Sequence, residues 1–382
     1  MIKFTLTPYD VLFFGSGRPF NMGDVAASIF PPNPNTFASA ICSKIYHLKS
    51  INVSGILKAV YGPFILKNSK IYFPKPQNIY KERKKKDIEK VFTLEPLNIN
   101  LKLFKPDNTS NFAIENLPIF KGIEEIEPFK AFISIDALKN WLNNKEINVK
   151  NDILLYKDIF QNEPRIGIKI DDSSYSVTEE NALYRIEFLR LKEDIKFVFW
   201  VEFNFSNKEL EKAGLNDENK IFKFFNTKPK VLKLGGEMRN VSYEIEKNDF
   251  KEWIKNELKI ENTIELEKGE KIQVLFLSYG IFDFNKSMPQ INGFEIYSAC
   301  FDNYEIIGIN SKNLGRKTKR AFHPGAIIWF SVQDSVQDKI SLNNPTFIIK
   351  NQNNFYFFGE VIENQDFIGT NLVLIKKEVK NV

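Results

Sequence analysis

A chain of 382 residues, with 43% hydrophobic and 26% charged side chains, is long enough for roughly two domains that each bury a core. Two cysteines without a CxxC pair, and only two histidines, exclude a disulfide framework, a zinc ribbon and a histidine-based metal centre. The net charge of +5 suits an anionic partner without demanding one, and with no signal-like segment or run of about 18 apolar residues the expectation is a cytoplasmic protein.

Lys3–Leu12 reads as an opening strand whose Pro8 suggests an edge or a bend. The stiff connector Phe30-Pro31-Pro32-Asn33-Pro34-Asn35 leads to Thr36, expected to cap a helix through Ala38, Ala40, Ile41, Ile45 and His47. From about 64 to 162 the pattern loosens, which we read as a large insertion rather than a separate domain, with a helical patch at Ile135–Leu142. Alternation returns in Arg165–Ile170 and Leu183–Leu191, and Phe197–Phe205 makes a third strand. Helical spacing over Asn207–Phe225 and a strand-like return over Lys230–Glu246 follow. The order strand, helix, strand, strand, helix, strand is that of a ferredoxin-like βαββαβ unit. Beyond it Asp249–Leu258 reads as a helix. Gln273–Ser278, Phe294–Phe301, Ala326–Val332, Thr346–Lys350 and Phe355–Ile362 read as strands, and Asn371–Glu378 closes the chain. The expected class is α+β, with tandem ferredoxin-like folds: a first domain over 1–247, carrying the insertion at about 64–162, and a degenerate second over 248–382.

Three segments set glycine beside arginine near an apolar strand: Phe14-Gly15-Ser16-Gly17-Arg18-Pro19, Leu232–Arg239 and Leu314–Arg320. Adjacent Gly235 and Gly236 let the backbone turn with positive φ and expose N–H groups to phosphate oxygens. Arg239 follows closely enough to clamp the same anion in a bidentate way. A glycine pair between strands is also the ordinary mark of a turn or bulge. Arg316, Lys317, Lys319 and Arg320 fall in a stretch, between Glu305 and Asp334, that contains no acid. Lys81–Asp87 is interrupted by acids and reads as a solvated loop, while Arg185 and Arg190 lie along one strand and read as solvent-facing.

Several chemistries lack their residues. There is no Gly-Gly-Asp-Asp hairpin for Mg²⁺, no Gly-Lys-Ser/Thr after a glycine loop, and no RNP aromatic signature. No metal or cofactor is expected. Metal-free RNA cleavage needs a base, an acid and a cation at the phosphate, for which His323 with Tyr184 or Tyr243 are the candidates.

Taken in order, Leu6–Phe14, Gly17–Phe20, Phe30–Pro32, Tyr61–Pro63, Ile71–Pro76, Pro164–Ile168, Ala182–Arg185, Gly235–Arg239 and Lys319–Ala326 resemble the third subunit of the CRISPR type III-B effector, the Cmr RAMP module. The resemblance implies tandem ferredoxin-like RAMP folds with a glycine-rich loop and a non-catalytic role in antiviral defence. That role is to grip the 5′ tag of the guide RNA and to dock on the large cyclase/polymerase-like Cas signature subunit of the Cmr complex, beside a neighbouring RAMP backbone subunit. The region from about Lys81 to Asp158 departs from the pattern, so no contacts are carried over to it. The RNA-binding residues expected from the residues themselves are Arg18, Arg165, Gly235, Gly236, Arg239, Arg316, Lys317, Lys319, Arg320 and His323. Their glycine/arginine loops are expected to converge on one face and neutralise phosphates of a single strand. The alternative is a metal-independent endoribonuclease that processes guide RNA precursors.

Overall fold

Period-two burial builds the first strand, β1 (Ile2–Pro8): Ile2, Phe4 and Leu6 all point into the core. The computed structural model describes residues 1–15, 25–83, 87–98, 116–168, 183–237, 239–259, 263–264, 269–281, 294–302, 304–311, 315–332, 340–341, 347–351, 354–358 and 368–377. It places β1 inside an eight-stranded sheet rather than at an edge. Pro8 is tolerated there because it is the last residue of the strand, so its missing N–H falls at the end of the ladder.

A short strand, β2 (Val25–Ala27), precedes helix α1 (Pro34–Lys49). The helix is capped by Asn33, whose side chain accepts from the Asn35 N–H at 3.0 Å, with Pro34 as its first residue. Thr36 therefore lies within the first turn and is not the cap. Next comes β3 (Leu57–Lys67), a strand buried along most of its length that shows no alternation to betray it.

The stretch read as an insertion continues the same sheet. It supplies β4 (Lys70–Pro74), β5 (Ala131–Ser134), α2 (Ile135–Leu142) and β6 (Ile153–Leu155). The hairpin of β7 (Phe160–Ile168) and β8 (Leu183–Leu191) stands apart, pairing in parallel with β2 in a three-stranded sheet. So two strands expected in the main unit form outside it, with Lys169 and Ile170 beyond the described residues. The main sheet is completed by β9 (Ile195–Phe203), helices α3 (Lys208–Lys212) and α4 (Glu218–Asn226), β10 (Val231–Lys233) and β11 (Asn240–Lys247). One helix was expected over 207–225; Gly214, at φ +70°, divides it. The sheet order is β6-β5-β4-β3-β9-β1-β11-β10, antiparallel throughout.

Beyond it, α5 (Phe250–Leu258) starts at Asp249, whose carboxylate accepts from the N–H groups of Lys251 and Glu252. Then follow β12 (Lys271–Phe276), β13 (Gly280–Ile281), β14 (Phe294–Cys300), β15 (Glu305–Ser311), β16 (Gly315–Phe322), β17 (Ile327–Val332) and β18 (Val373–Lys377). A second sheet runs β14-β17-β12-β18, and a small one runs β13-β16-β15. The strands expected near 346–362 pair as a hairpin of Phe347–Asn351 with Asn354–Phe358. The whole is a strand-rich mixture of α and β with few helices among the described residues.

Counted along the chain, β3-β9-β1-β11 and β14-β17-β12-β18 both read second, third, first, fourth. The two sheets nevertheless share a core. One apolar cluster joins Phe64, Phe73 and Trp200 of the first sheet, Leu138 and Trp141 of α2, Phe250 and Ile254 of α5, and Leu275 and Trp329 of the second sheet. Each such large side chain contributes about 1.5–3 kcal/mol by leaving water, so this junction is a strong one. Among the described residues no helix is long and apolar enough to cross a membrane, and no group of side chains is arranged to hold a metal ion.

Candidate nucleic-acid interface

The loop between β10 and β11 is shaped by close backbone approach. Gly235 has φ +76°, and a Cβ there would stand 2.3 Å from the Phe13 carbonyl oxygen. The Gly236 N–H donates to that same oxygen at 2.8 Å. The pair thus seats the loop on the Phe13–Phe14 segment, and the Gly236 N–H, expected to face a phosphate, already has a partner. The Leu234 N–H donates to the Arg239 carbonyl at 2.8 Å and closes the loop.

That closure aims Arg239 at β8, where its guanidinium lies 4.7 Å from the ring centre of Phe188. Arg165 of β7 lies over the same ring at 5.2 Å. Glu163 and Arg165 are two apart on one strand and share a face; Phe188 and Arg190 do the same on β8, with Glu163 opposite Phe188. Arg165 donates to Glu163 Oε1 at 2.6 Å and to Asp10 Oδ2 at 3.2 Å. Arg190 donates to Glu163 Oε2 at 2.6 Å and to Asp10 Oδ1 at 2.9 Å. Arg239 Nη1 stands 3.7 Å from Asp10 Oδ2, while its Nε is buried without a hydrogen-bond partner.

Hydrogen bonds from Arg190 and then Arg165 hold the Glu163 carboxyl below the usual carboxylate range. Loss of solvent pushes Asp10 upward, but the hydrogen bonds from Arg165 and Arg190 outweigh it and leave Asp10 lowered too. Both acids are therefore ionised at neutral pH. Three guanidiniums face two carboxylates, an excess of one positive charge on a half-exposed surface.

The structure thus brings Arg165 and Arg239 together beside Gly235 and Gly236. It adds Arg190, read from the sequence as solvent-facing, and Asp10 and Glu163, which the sequence reading missed. The period-two spacing of Glu163 with Arg165 was a usable signal; the arrival of Asp10 was not. Arg18 lies outside the described residues, between Gly15, which bridges to Ser28, and Val25, which pairs with Arg185. The opposite face of the β7–β8 sheet leaves Ile166, Ile168, Leu183 and Val25 exposed.

The third glycine/arginine segment is not a loop. Gly315–Phe322 is strand β16, with Arg316, Lys317, Lys319 and Arg320 opposite Asn310, Ile309, Ile307 and Ile306 of β15. Continuous antiparallel pairing with β15 makes this stretch a strand, which is why the loop expectation fails. These residues stand on another sheet, so the three segments do not form one loop cluster. Lys319 is half-buried and Arg320 exposed. His323 follows, its Nε2 3.4 Å from Glu305 Oε2 and its ring 5.7 Å from that of Tyr279. Its expected cleavage partners belong to other sheets. Tyr243 is buried in β11, donates its O–H to the Phe225 carbonyl at 2.8 Å, and is pushed up in pKa by burial. Tyr184 is on β8, against Gly167. No acid–base pair of these three is assembled.

Against known proteins, the family described as CRISPR-associated protein (Cas_Cmr3) matches residues 4–378. A chain in the cryo-EM structure of the Type III-B Cmr-beta bound to cognate target RNA and AMPPnP is similar at 19% identity, covering 86% of this chain and 86% of that one, with a TM-score of 0.49. A chain of the Csm3-Csm4 subcomplex in the type III-A CRISPR-Cas interference complex is similar at 15% identity, over 92% of this chain and 100% of that one, with a TM-score of 0.40. Among curated proteins no match is found.

Proposed function

The chain belongs to the Cmr3 family of CRISPR-associated proteins, and on that premise we propose that it is a non-catalytic RNA-binding subunit of the type III-B effector, gripping the 5′ tag of the guide RNA in the cytoplasm. Its carrying observation is the assembly of Arg165, Arg190 and Arg239 around Phe188, beside the Gly235–Gly236 turn. Guanidiniums present paired donors that match phosphate oxygens, and a phosphate replaces Asp10 or Glu163 as their partner. The basic strand Gly315–Phe322 extends the same role on the small sheet β13-β16-β15, with Arg18 as a further contact from the first glycine/arginine segment.

In this reading 1–247 and 248–382 are two ferredoxin-like RAMP units, the second degenerate. The protein docks on the large Cas signature subunit, and the exposed face of Ile166, Ile168, Leu183 and Val25 seats the neighbouring RAMP backbone subunit.

The test is photo-crosslinking of the reconstituted pair with large subunit and tagged guide RNA. Crosslinks are expected in 235–239, in β7–β8 and in β16, with no cleavage of a precursor repeat in EDTA. Crosslinks confined to other surfaces would refute the site. Cutting in EDTA that His323→Ala abolishes would establish the endoribonuclease instead.

A further inference from the structure

Three motifs that the arginine cluster does not use meet around one cleft. They are Phe30-Pro31-Pro32, Pro74-Lys75-Pro76 and His323-Pro324-Gly325, far apart in sequence. The Gln77 N–H donates to the Gly325 carbonyl at 2.8 Å, and a Cβ on Gly325, at φ +94°, would stand 2.3 Å from the Lys75 carbonyl oxygen. The Tyr279 O–H donates to the Pro31 carbonyl at 2.7 Å. These contacts join the insertion and β2–α1 connection to the second sheet, and they enclose a cavity of about 510 Å³ open to solvent. That is the size of a site for a small ligand, and junctions between units are where such sites form.

The walls have a particular chemistry. Phe30, Phe129, Phe301 and Tyr304 present half-buried rings to the cavity. Lys130, Asp302, Glu305 and His323 supply charge and hydrogen bonds at its edge. Lys75 belongs to the wall itself: its buried ammonium donates to the carbonyls of Pro76 at 3.0 Å and Ile79 at 2.6 Å, and lies 4.7 Å from the ring centre of Phe129. The backbone N–H of Asp302 donates to Gln77 Oε1 at 2.6 Å, which fixes the carboxylate-bearing segment against the opposite wall.

We propose that this cleft binds one nucleotide, guanine in preference to uracil, with the base against the aromatic rings and the phosphate beside Lys130 and His323. Stacking needs only a π-face and accepts any base. The carboxylates choose. Guanine offers N1–H and N2–H₂ side by side, two donors that fit one carboxylate, whereas uracil offers a single N–H flanked by two acceptors that a carboxylate repels. Asp302, on the exposed rim, is placed for that role, since Glu305 is already beside His323. The nucleotide is either free or an unstacked guanosine of an RNA strand; the recognising chemistry is the same. The inference does not rest on the arginine cluster.

The full-length protein is titrated with GMP and UMP by calorimetry, and is irradiated with a tagged guide RNA carrying 6-thioguanosine. A free-nucleotide site gives GMP binding at least tenfold tighter than UMP, a difference that Asp302→Asn removes while leaving UMP unchanged. An RNA-derived guanosine gives no mononucleotide binding but crosslinks at Phe129, Phe301 or Tyr304, lost in Phe301→Ala. Either result supports the site. Equal binding of GMP and UMP, a preference indifferent to Asp302→Asn, or neither binding nor crosslinks would overturn it. Arg239→Ala serves as the control: it weakens RNA in the tag-gripping reading and leaves GMP binding unchanged, so the two readings fail separately.

Discussion

The hairpins β7–β8 and β15–β16 hold the same place in their sheets, each running directly into the strand that is third along the chain, β9 or β17. Each also pairs with a short strand from just after or near the first: β2 for one, β13 for the other. Their electrostatics differ. The first hairpin ties Arg165 and Arg190 to Asp10 and Glu163, while the second lies in a stretch, 306–333, that carries five lysines and arginines and no acid. One backbone plan therefore serves two kinds of basic surface, one geometrically fixed and nearly neutralised, the other strongly positive. Ligand preference on such a repeat is set by the charges on the hairpin rather than by the sheet beneath it.

The largest test of the comparison concerns the shared core. Trp200 and Trp329 sit in one apolar cluster although they stand on different sheets. Trp200→Ala and Trp329→Ala are each expected to cost about 3–5 kcal/mol in urea denaturation, in a single transition for both. Two separated transitions, each sensitive to one substitution, would show that the halves are energetically independent.

A smaller effect tests what the glycine turn is for. Gly235→Ala forces a side chain into positive φ and against the Phe13 carbonyl, and is expected to cost about 1–3 kcal/mol. Gly214 has a similar φ with nothing within 4 Å, so Gly214→Ala should cost about 1 kcal/mol or less. Equal losses in chemical denaturation would mean that the approach to Phe13 does not matter.

Next in size is a pH effect at the junction of the halves. Burial pushes the Lys75 ammonium down from 10.5 to about 7. Between those values the folded state holds fewer protons than the unfolded one, so stability rises with pH across that window and the contribution is lost below about 7. Lys75→Met should flatten the rise when urea midpoints are measured from about pH 7 to 9.5. Parallel curves for the two proteins would contradict the burial argument.

Helices were legible because their caps and periods are local. Ser134 before Ile135–Leu142 and Asp249 before Phe250–Leu258 place both starts within a residue of the reading. β3 was not legible: LKAVYGPFILK is buried nearly throughout, so the alternation that marks a half-buried strand is absent. The strands within the 64–162 stretch were hidden for a related reason, since β4, β5 and β6 extend an existing sheet and need no pattern of their own. Arg165 and Arg239 were identified as candidates from residue type and neighbours. Their assembly with Asp10 depends on contacts across more than 150 positions, which no local spacing reveals. β16 was read as a loop because Gly315 and its lysines look like turn chemistry, whereas pairing with β15 decides the matter.

The most direct measurement is the salt dependence of guide RNA binding by the reconstituted subunit, comparing Arg239→Ala with the unaltered chain. A guanidinium that holds a phosphate releases about one counterion, so the slope of log K against log salt should fall by about one unit, equally for tagged RNAs of different downstream sequence. An unchanged slope, with affinity intact, would take Arg239 away from the RNA and leave its cluster with Asp10 and Phe188 as a clasp between a hairpin and a turn.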